Sequence, residues 1–179
     1  MKLITFATYK EAEASLTYFG ASEIAITGMG PKATKDFLEK LDFTPSCIVN
    51  IGLAGALRPD LVEGTIYPIG RVSYNNNTLV LENEGLALAT CDKPQYNSIL
   101  GHSYDLVDME GYVVAAYAKK NNIPCALYKL VSDFCTETTS QQIAANLPKF
   151  SEIIASFLHN RIPILCKDFS SFSYSWEPP

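Results

Sequence analysis

Apolar runs alternate with segments of helical spacing at both ends of the chain. Residues 2–7 form one such run, and Ala12, Leu16 and Phe19 follow it at near-helical spacing. The same pattern predicts further strands over residues 23–27, 47–51 and 123–131, and helices over residues 31–41, 111–120 and 140–158, the last one kinked or restarted at Pro148.

The middle of the chain is rich in β segments. Residues 65–69, 78–81 and 86–90 have strand character and are separated by Gly and Asn, and a further strand is predicted over residues 105–109. Strands that alternate with helices at both ends, around a β-rich middle, predict a single α/β domain with a mixed central β-sheet flanked by helices. We expect this domain to span residues 1–160, followed by a C-terminal tail over residues 161–179 that is loosely docked.

Composition and charge exclude several classes of protein. The 179 residues carry 14 Lys and Arg against 19 Asp and Glu, a net charge of −5, without the basic cluster that nucleic-acid binding requires. No stretch reaches the roughly 18 apolar residues of a membrane span. The five cysteines are scattered without metal-ligand spacing, and neither GxGxxG nor GxxxxGK[ST] occurs. We therefore expect a cytoplasmic protein with no metal, cofactor, nucleic-acid partner or membrane anchor.

Three acidic residues lie at the edges of predicted elements. Glu11 begins the first helix, Glu110 follows the strand over residues 105–109, and Asp133 follows the strand over residues 123–131. Because the carboxyl ends of strands in α/β sheets converge on one crevice, these carboxylates could share a pocket. Each also has a local explanation, since acids stabilise the first turn of a helix and Asp favours caps and turns. His102 could serve a catalytic triad or be an exposed loop residue.

A segment of small residues, Gly52-Leu53-Ala54-Gly55-Ala56, directly follows the buried run at residues 47–51. Small residues there allow a ligand to approach the backbone, which makes Leu53, Ala54 and Gly55 candidates for substrate binding. A tight turn from strand to helix is the alternative explanation.

Four segments in this order resemble the nucleoside phosphorylase and nucleosidase superfamily, in particular its hydrolytic branch of methylthioadenosine/adenosylhomocysteine nucleosidases and futalosine hydrolases. The matching segments are Ala7-Thr8-Tyr9-Lys10-Glu11-Ala12, residues 48–57 around Gly52-Leu53-Ala54-Gly55, Val107-Asp108-Met109-Glu110-Gly111, and Val131-Ser132-Asp133. The resemblance extends from residue 1 to about residue 158 and implies a homodimer that cleaves the N-glycosidic bond of a purine nucleoside.

The resemblance also implies a role for each matched residue. Glu11 would orient and deprotonate the attacking water, and Met109 and Glu110 would hold the ribose. Asp133, supported by Ser132, would protonate or hydrogen-bond N7 of the leaving purine. This chemistry requires an acid for the base and a carboxylate for the water.

Two features of the sequence favour hydrolysis over phosphorolysis within this resemblance. Arginines that help to hold phosphate in the superfamily are missing after the first glycine turn and before Gly52, and Leu53 replaces the usual Ser or Thr. Leu53 and the opening Ala-Thr-x-x-Glu-Ala resemble the futalosine hydrolases, which favours futalosine or 6-amino-6-deoxyfutalosine of menaquinone biosynthesis as substrate. The alternatives are a methylthioadenosine/adenosylhomocysteine nucleosidase, a purine nucleoside phosphorylase, and a non-catalytic nucleoside-binding protein. Asp92 could approach the base or lie in a surface turn.

Overall fold

The computed structural model describes residues 1–81, 84–95, 103–137, 139–165 and 175–177. The elements in chain order are β1 (Lys2–Phe6), α1 (Tyr9–Ala12), a 3₁₀ helix (Glu13–Thr17), β2 (Ile24–Ile26), α2 (Pro31–Leu38), β3 (Cys47–Ala56), β4 (Ile66–Tyr74), β5 (Asn77–Val80), β6 (Leu86–Thr90), β7 (Leu106–Asp108), α3 (Gly111–Lys120), β8 (Cys125–Asp133), α4 (Thr139–Leu165) and β9 (Ser175–Glu177). This is the predicted α/β domain with a mixed sheet and flanking helices.

The sheet is parallel on one side and closes on itself in the middle. β1 pairs in parallel with β2 and with β3, and β3 pairs in parallel with β8. From β8 the ladder continues through β4 and β6 to β7, which returns to β3 as an antiparallel partner. β3, β8, β4, β6 and β7 therefore form a closed ring, so that residues far apart in the sequence face one another across it.

Two apolar layers hold the helices against the sheet. The central strands are buried on both faces, and consecutive residues enter different layers, such as Ile48 and Val49 of β3. One layer packs Leu38 of α2 and Val114 of α3 against the sheet. The opposite layer packs Ile154 of α4 against it. The helices thus leave the ends of the strands accessible, where the candidate site lies.

Three local features add detail to the sequence predictions or differ from them. Residues 52–56 do not form a turn, because β3 continues through them with β8 on one side and β7 on the other. The helical spacing after β1 is confirmed as a short α-helix that tightens into a 3₁₀ helix. α4 runs from Thr139 to Leu165, so the predicted restart at Pro148 is wrong, whereas the alternative, a kink there, stays a prediction.

The C-terminal boundary stays a prediction. α4 crosses residue 160, and Ser175–Glu177 forms a short strand antiparallel to β5. Residues 166–174 and 178–179, which include Cys166 of the predicted tail, lie outside the described residues. Within the described ranges, none of the helices combines the length and the hydropathy that a bilayer crossing needs.

Candidate active site

A cavity of about 300 Å³ opens at the ends of β1, β3, β7 and β8. This volume is at the lower end of the range for small-molecule pockets. Its described lining comprises Ala7, Thr8, Glu11, Met29, Leu53, Ala54, Gly55, Lys93, Pro94, Gln95, Val107, Asp108, Met109, Glu110, Ser132, Asp133, Cys135, Ile143 and Leu147. All eight predicted site residues are among them.

Glu11 is buried and held by a capping box at the start of α1. Its backbone N–H donates to Thr8 Oγ1 (3.3 Å), and the Thr8 hydroxyl donates to Glu11 Oε1 (2.7 Å). Burial raises the pKa of Glu11, whereas hydrogen bonds from Thr8 and from the Leu53 N–H, together with the positive charge of Lys129, oppose that rise. The carboxylate is thus fixed in direction and suited to accept a proton.

Glu110 lies between β7 and α3 and is also buried. The N–H of Gly30, which precedes α2, donates to Glu110 Oε1 (2.7 Å). Burial and the nearby charge of Asp108 raise the pKa of Glu110 to about 7, although Lys129 and the Gly30 N–H act against them. One carboxylate oxygen is therefore used by the protein, and the second can accept a hydrogen bond from a ligand.

A β-bulge directs Ser132 and Asp133 into the cavity together. The pairing of β3 with β8 runs from Ala54 opposite Val131 to Gly55 opposite Asp133, so that Ser132 is the extra residue. Successive residues of a regular strand would point to opposite faces, but both line the cavity here. The Ser132 hydroxyl donates to Asp133 Oδ2 (2.6 Å), and the N–H of Cys135 donates to Asp133 Oδ1 (2.8 Å). These contacts fix the orientation of the carboxyl group.

Two glycines of β3 leave room for these carboxyl groups. A Cβ on Gly52 would stand 2.9 Å from Glu11 Oε2, and one on Gly55 would collide with Cys135 Sγ and approach Asp133 Oδ1 to 3.2 Å. The absence of a side chain at Gly52 and Gly55 therefore leaves room for Glu11, Asp133 and Cys135.

Sequence reasoning missed several residues of the site. Lys129 is only 2% exposed and pairs with Asp108 (Nζ to Oδ2, 2.8 Å) beneath the cavity. A lysine inside an otherwise apolar strand was the available signal, since lysine is almost never fully buried unless it is paired. Met29, Ile143 and Leu147 add apolar lining that sequence spacing did not reveal.

Two other candidate residues are not among the described lining residues of the cavity. Asp92 accepts a hydrogen bond from the Tyr74 hydroxyl (2.8 Å) and lines a neighbouring open pocket rather than the cavity. His102 lies outside the described residues. The catalytic and binding roles assigned to the eight predicted residues stay predictions.

No protein-family model and no curated protein matches the sequence. Solved structures match the fold. A methylthioadenosine/S-adenosylhomocysteine nucleosidase (MTAN) from Chlamydia trachomatis is 24% identical, with a TM-score of 0.79 over 97% of this chain and 100% of that chain. A mutant of the same Chlamydia trachomatis nucleosidase, bound to MTA, is 21% identical to this chain, with a TM-score of 0.80 over 91% of this chain and 98% of that one. Futalosine hydrolase of Helicobacter pylori is 16% identical, with a TM-score of 0.80 over 89% of this chain and 96% of that one. The chain therefore has the fold that the motif resemblance predicted.

Proposed function

We propose that this protein is a purine nucleosidase, an enzyme that hydrolyses the N-glycosidic bond of a purine nucleoside. The observation that carries the proposal is that Glu11, Glu110 and Asp133, far apart in sequence, line one cavity of nucleoside-binding size. The fold, shared with MTAN and futalosine hydrolase structures, supports it.

The proposed reaction assigns one task to each carboxyl group. Asp133 donates a proton to N7 of the purine as the bond between the sugar and the base breaks. Glu110 accepts hydrogen bonds from the ribose hydroxyls, with Met109 packed against the sugar. Glu11 takes a proton from water, whose hydroxyl group adds to the ribosyl cation at C1′. The products are the free purine and the free sugar.

The charge of the cavity supports water rather than phosphate as the acceptor. Among its described lining residues, Lys93 is the single cation, against the four acids Glu11, Asp108, Glu110 and Asp133. A phosphate dianion would meet net negative charge, which opposes its binding. Water carries no such cost.

The apolar lining supports a nucleoside with a modified 5′ position. Met29, Ile143 and Leu147 add apolar surface to the lining of the cavity. Futalosine or 6-amino-6-deoxyfutalosine is the proposed substrate, on the strength of Leu53 and the opening motif. Methylthioadenosine is the second candidate, because this fold is similar to that of a nucleosidase mutant bound to MTA.

We also propose that the protein is a homodimer. Tyr9, Met29 and Phe134 are 58%, 69% and 40% exposed, and each lies in the lining of the site or next to a lining residue. Large apolar side chains grouped on a surface are typical of an interface. Sedimentation equilibrium of the wild type and of a Met29→Glu variant tests this, with dissociation of the variant expected.

Purine release from candidate nucleosides, with and without phosphate, tests the function. Futalosine, its 6-amino analogue, methylthioadenosine, adenosylhomocysteine and inosine form the panel. We expect phosphate-independent release that falls about 10²- to 10⁴-fold in Glu11→Gln and in Asp133→Asn. Exposed Asp36→Asn is the matched control and should keep the wild-type rate.

Three outcomes would contradict the proposal. Release that requires phosphate and yields the sugar 1-phosphate identifies a phosphorylase. Nucleoside binding without turnover identifies a binding protein. Unchanged rates in both carboxyl variants would show that the mechanism is wrong even if hydrolysis occurs.

A further inference from the structure

A chain of buried polar side chains crosses the sheet beneath the cavity, with one residue from each of five strands. Asn50 of β3 donates to Thr5 Oγ1 of β1 (3.1 Å) and accepts from Lys129 Nζ of β8 (2.8 Å). Lys129 also pairs with Asp108 Oδ2 of β7 (2.8 Å), and the Thr90 hydroxyl of β6 donates to Asp108 Oδ1 (2.7 Å). The ammonium group of Lys129 therefore has fixed partners on two sides.

The position of Lys129 is not explained by Asp108 alone. Removing an ammonium group from water is costly, and a buried ion pair contributes little net stability compared with apolar side chains of the same volume. Three buried carboxyl groups surround this one ammonium: Asp108 at the end of β7, Glu110 before α3, and Glu11 on α1. The ammonium group of Lys129 is therefore a shared counter-charge for these three carboxyl groups.

Gly52 brings the ammonium group and the proposed base to the same place. The position of a Cβ on Gly52 is 2.9 Å from Glu11 Oε2 and 4.0 Å from Lys129 Nζ, which places the two charged groups within about 7 Å of each other. Gly52 has no side chain to separate them. The cavity lining does not include Lys129, so the ammonium acts through the carboxylate rather than on a ligand.

We propose that Lys129 is a positioning residue for the nucleosidase reaction: held by Asn50 and Asp108, it is the buried counter-charge that keeps Glu11 ionised and able to accept a proton from water. This inference rests on the proposed function for its catalytic consequence. Its electrostatic content, that the charge of Lys129 favours the carboxylate form of Glu11, holds whether or not the enzyme turns over a nucleoside.

Asp108 links Lys129 to the start of α3, next to Glu110, the residue proposed to bind the ribose. Its Oδ2 also accepts from the Gly111 N–H (2.8 Å), and Thr90 Oγ1 accepts from the Tyr112 N–H (2.9 Å). These two N–H groups belong to the first turn of α3, directly after Glu110, where backbone donors have no acceptor within the helix. The network thus fixes Lys129 and the start of α3 together.

The test measures the protonation of Glu11 directly. Protein labelled with ¹³C at the glutamate carboxyl group is titrated by NMR, and Glu11→Gln assigns the signal. In Lys129→Met we expect the midpoint of Glu11 to move to higher pH by about one unit or more, because the opposing charge is lost. The acid limb of the pH profile of kcat should shift to higher pH together with the Glu11 midpoint, while KM changes little.

Matched variants separate this role from a structural one. Exposed Lys120→Met should leave the midpoint and the pH profile unchanged. Lys129→Arg retains the positive charge and should keep the Glu11 midpoint at its wild-type value. Asp108→Asn/Lys129→Met leaves no unpaired buried charge, which protects the fold if the single variant unfolds, and should still show the raised Glu11 midpoint.

Activity and titration give separate answers. An unchanged Glu11 midpoint in folded Lys129→Met or folded Asp108→Asn/Lys129→Met overturns the inference, including the case in which only the melting temperature falls. A raised midpoint in an enzyme that releases no purine from any nucleoside supports the counter-charge and refutes the proposed function instead.

Discussion

Replacing Gly52 by alanine is expected to displace the proposed base, Glu11, while Glu11 itself is unchanged. The new Cβ would stand 2.9 Å from Glu11 Oε2, whereas comfortable non-bonded contacts lie near 3.5–4.0 Å. The carboxylate must therefore retreat by about 0.5–1 Å, and a displacement near 1 Å costs on the order of 10²-fold in rate. We expect kcat to fall about 10- to 100-fold. KM should change little, because Glu110 and Asp133 keep their partners.

Steady-state purine release by Gly52→Ala, Glu11→Gln and the double variant measures this effect. Since the alanine acts only through Glu11, it should cost nothing further once Glu11→Gln is present, which gives a strongly non-additive cycle. Gly20→Ala is the control, because its Cβ would have no neighbour nearer than 3.7 Å. A Gly52→Ala enzyme within twofold of wild type, alongside an inactive Glu11→Gln, would show that the added Cβ does not displace the Glu11 carboxylate.

Other parts of the structure give further expectations. Gly55→Ala should slow single-turnover purine release by pushing Cys135 and the adjacent Asp133, and a second change, Cys135→Ala, should recover part of the rate. The stability of the wild type relative to Glu110→Gln should fall as pH rises from 4.5 through about 7, by on the order of 1 kcal/mol per pH unit, because the folded state binds the proton more tightly than the unfolded chain; urea denaturation at several pH values measures it. Leu127→Ala should lower the free energy of unfolding by about 2–5 kcal/mol, since Leu127 is fully buried in one core layer, whereas exposed Val62→Ala should stay within about 0.5 kcal/mol in the same urea assay.

Hydrophobic spacing was sufficient to predict most elements and the mixed sheet. The predicted helix over residues 111–120 coincides with α3, and the predicted strands near residues 2–7 and 86–90 coincide with β1 and β6 within a residue or two. Local periodicity governs all three segments, and glycine or asparagine marks an end of α3 and of β6. Their limits therefore follow from the sequence alone.

Residues 52–56 show where that reasoning fails. Glycine and alanine weaken an isolated strand, so a tight turn was one of the two explanations that the sequence allowed for this segment. In the fold, β8 and β7 pair with both sides of this segment, and the space that side chains would occupy is filled by Glu11 and Cys135. Ring closure, a tertiary effect, overrides the local preference. Lys129 was missed because the pairing of β7 and β8 with the two sides of β3, which brings Asp108 beside it, is not visible in the sequence.

β3 explains why four remote segments form one site. Parallel pairing with β1 sets the position of Glu11, which follows β1 by a few residues. Pairing with β8 sets Asp133 opposite Gly55, and pairing with β7 sets Val107 opposite the same glycine, three residues before Glu110. A slip of one residue in β3 would exchange its two faces and shift all three acids relative to one another. Asn50, whose amide joins Thr5 to Lys129 across this strand, opposes such a slip, since a shifted Asn50 would leave a buried ammonium group without its acceptor. The polar chain beneath the cavity therefore fixes the register of the sheet on which the geometry of the acids depends.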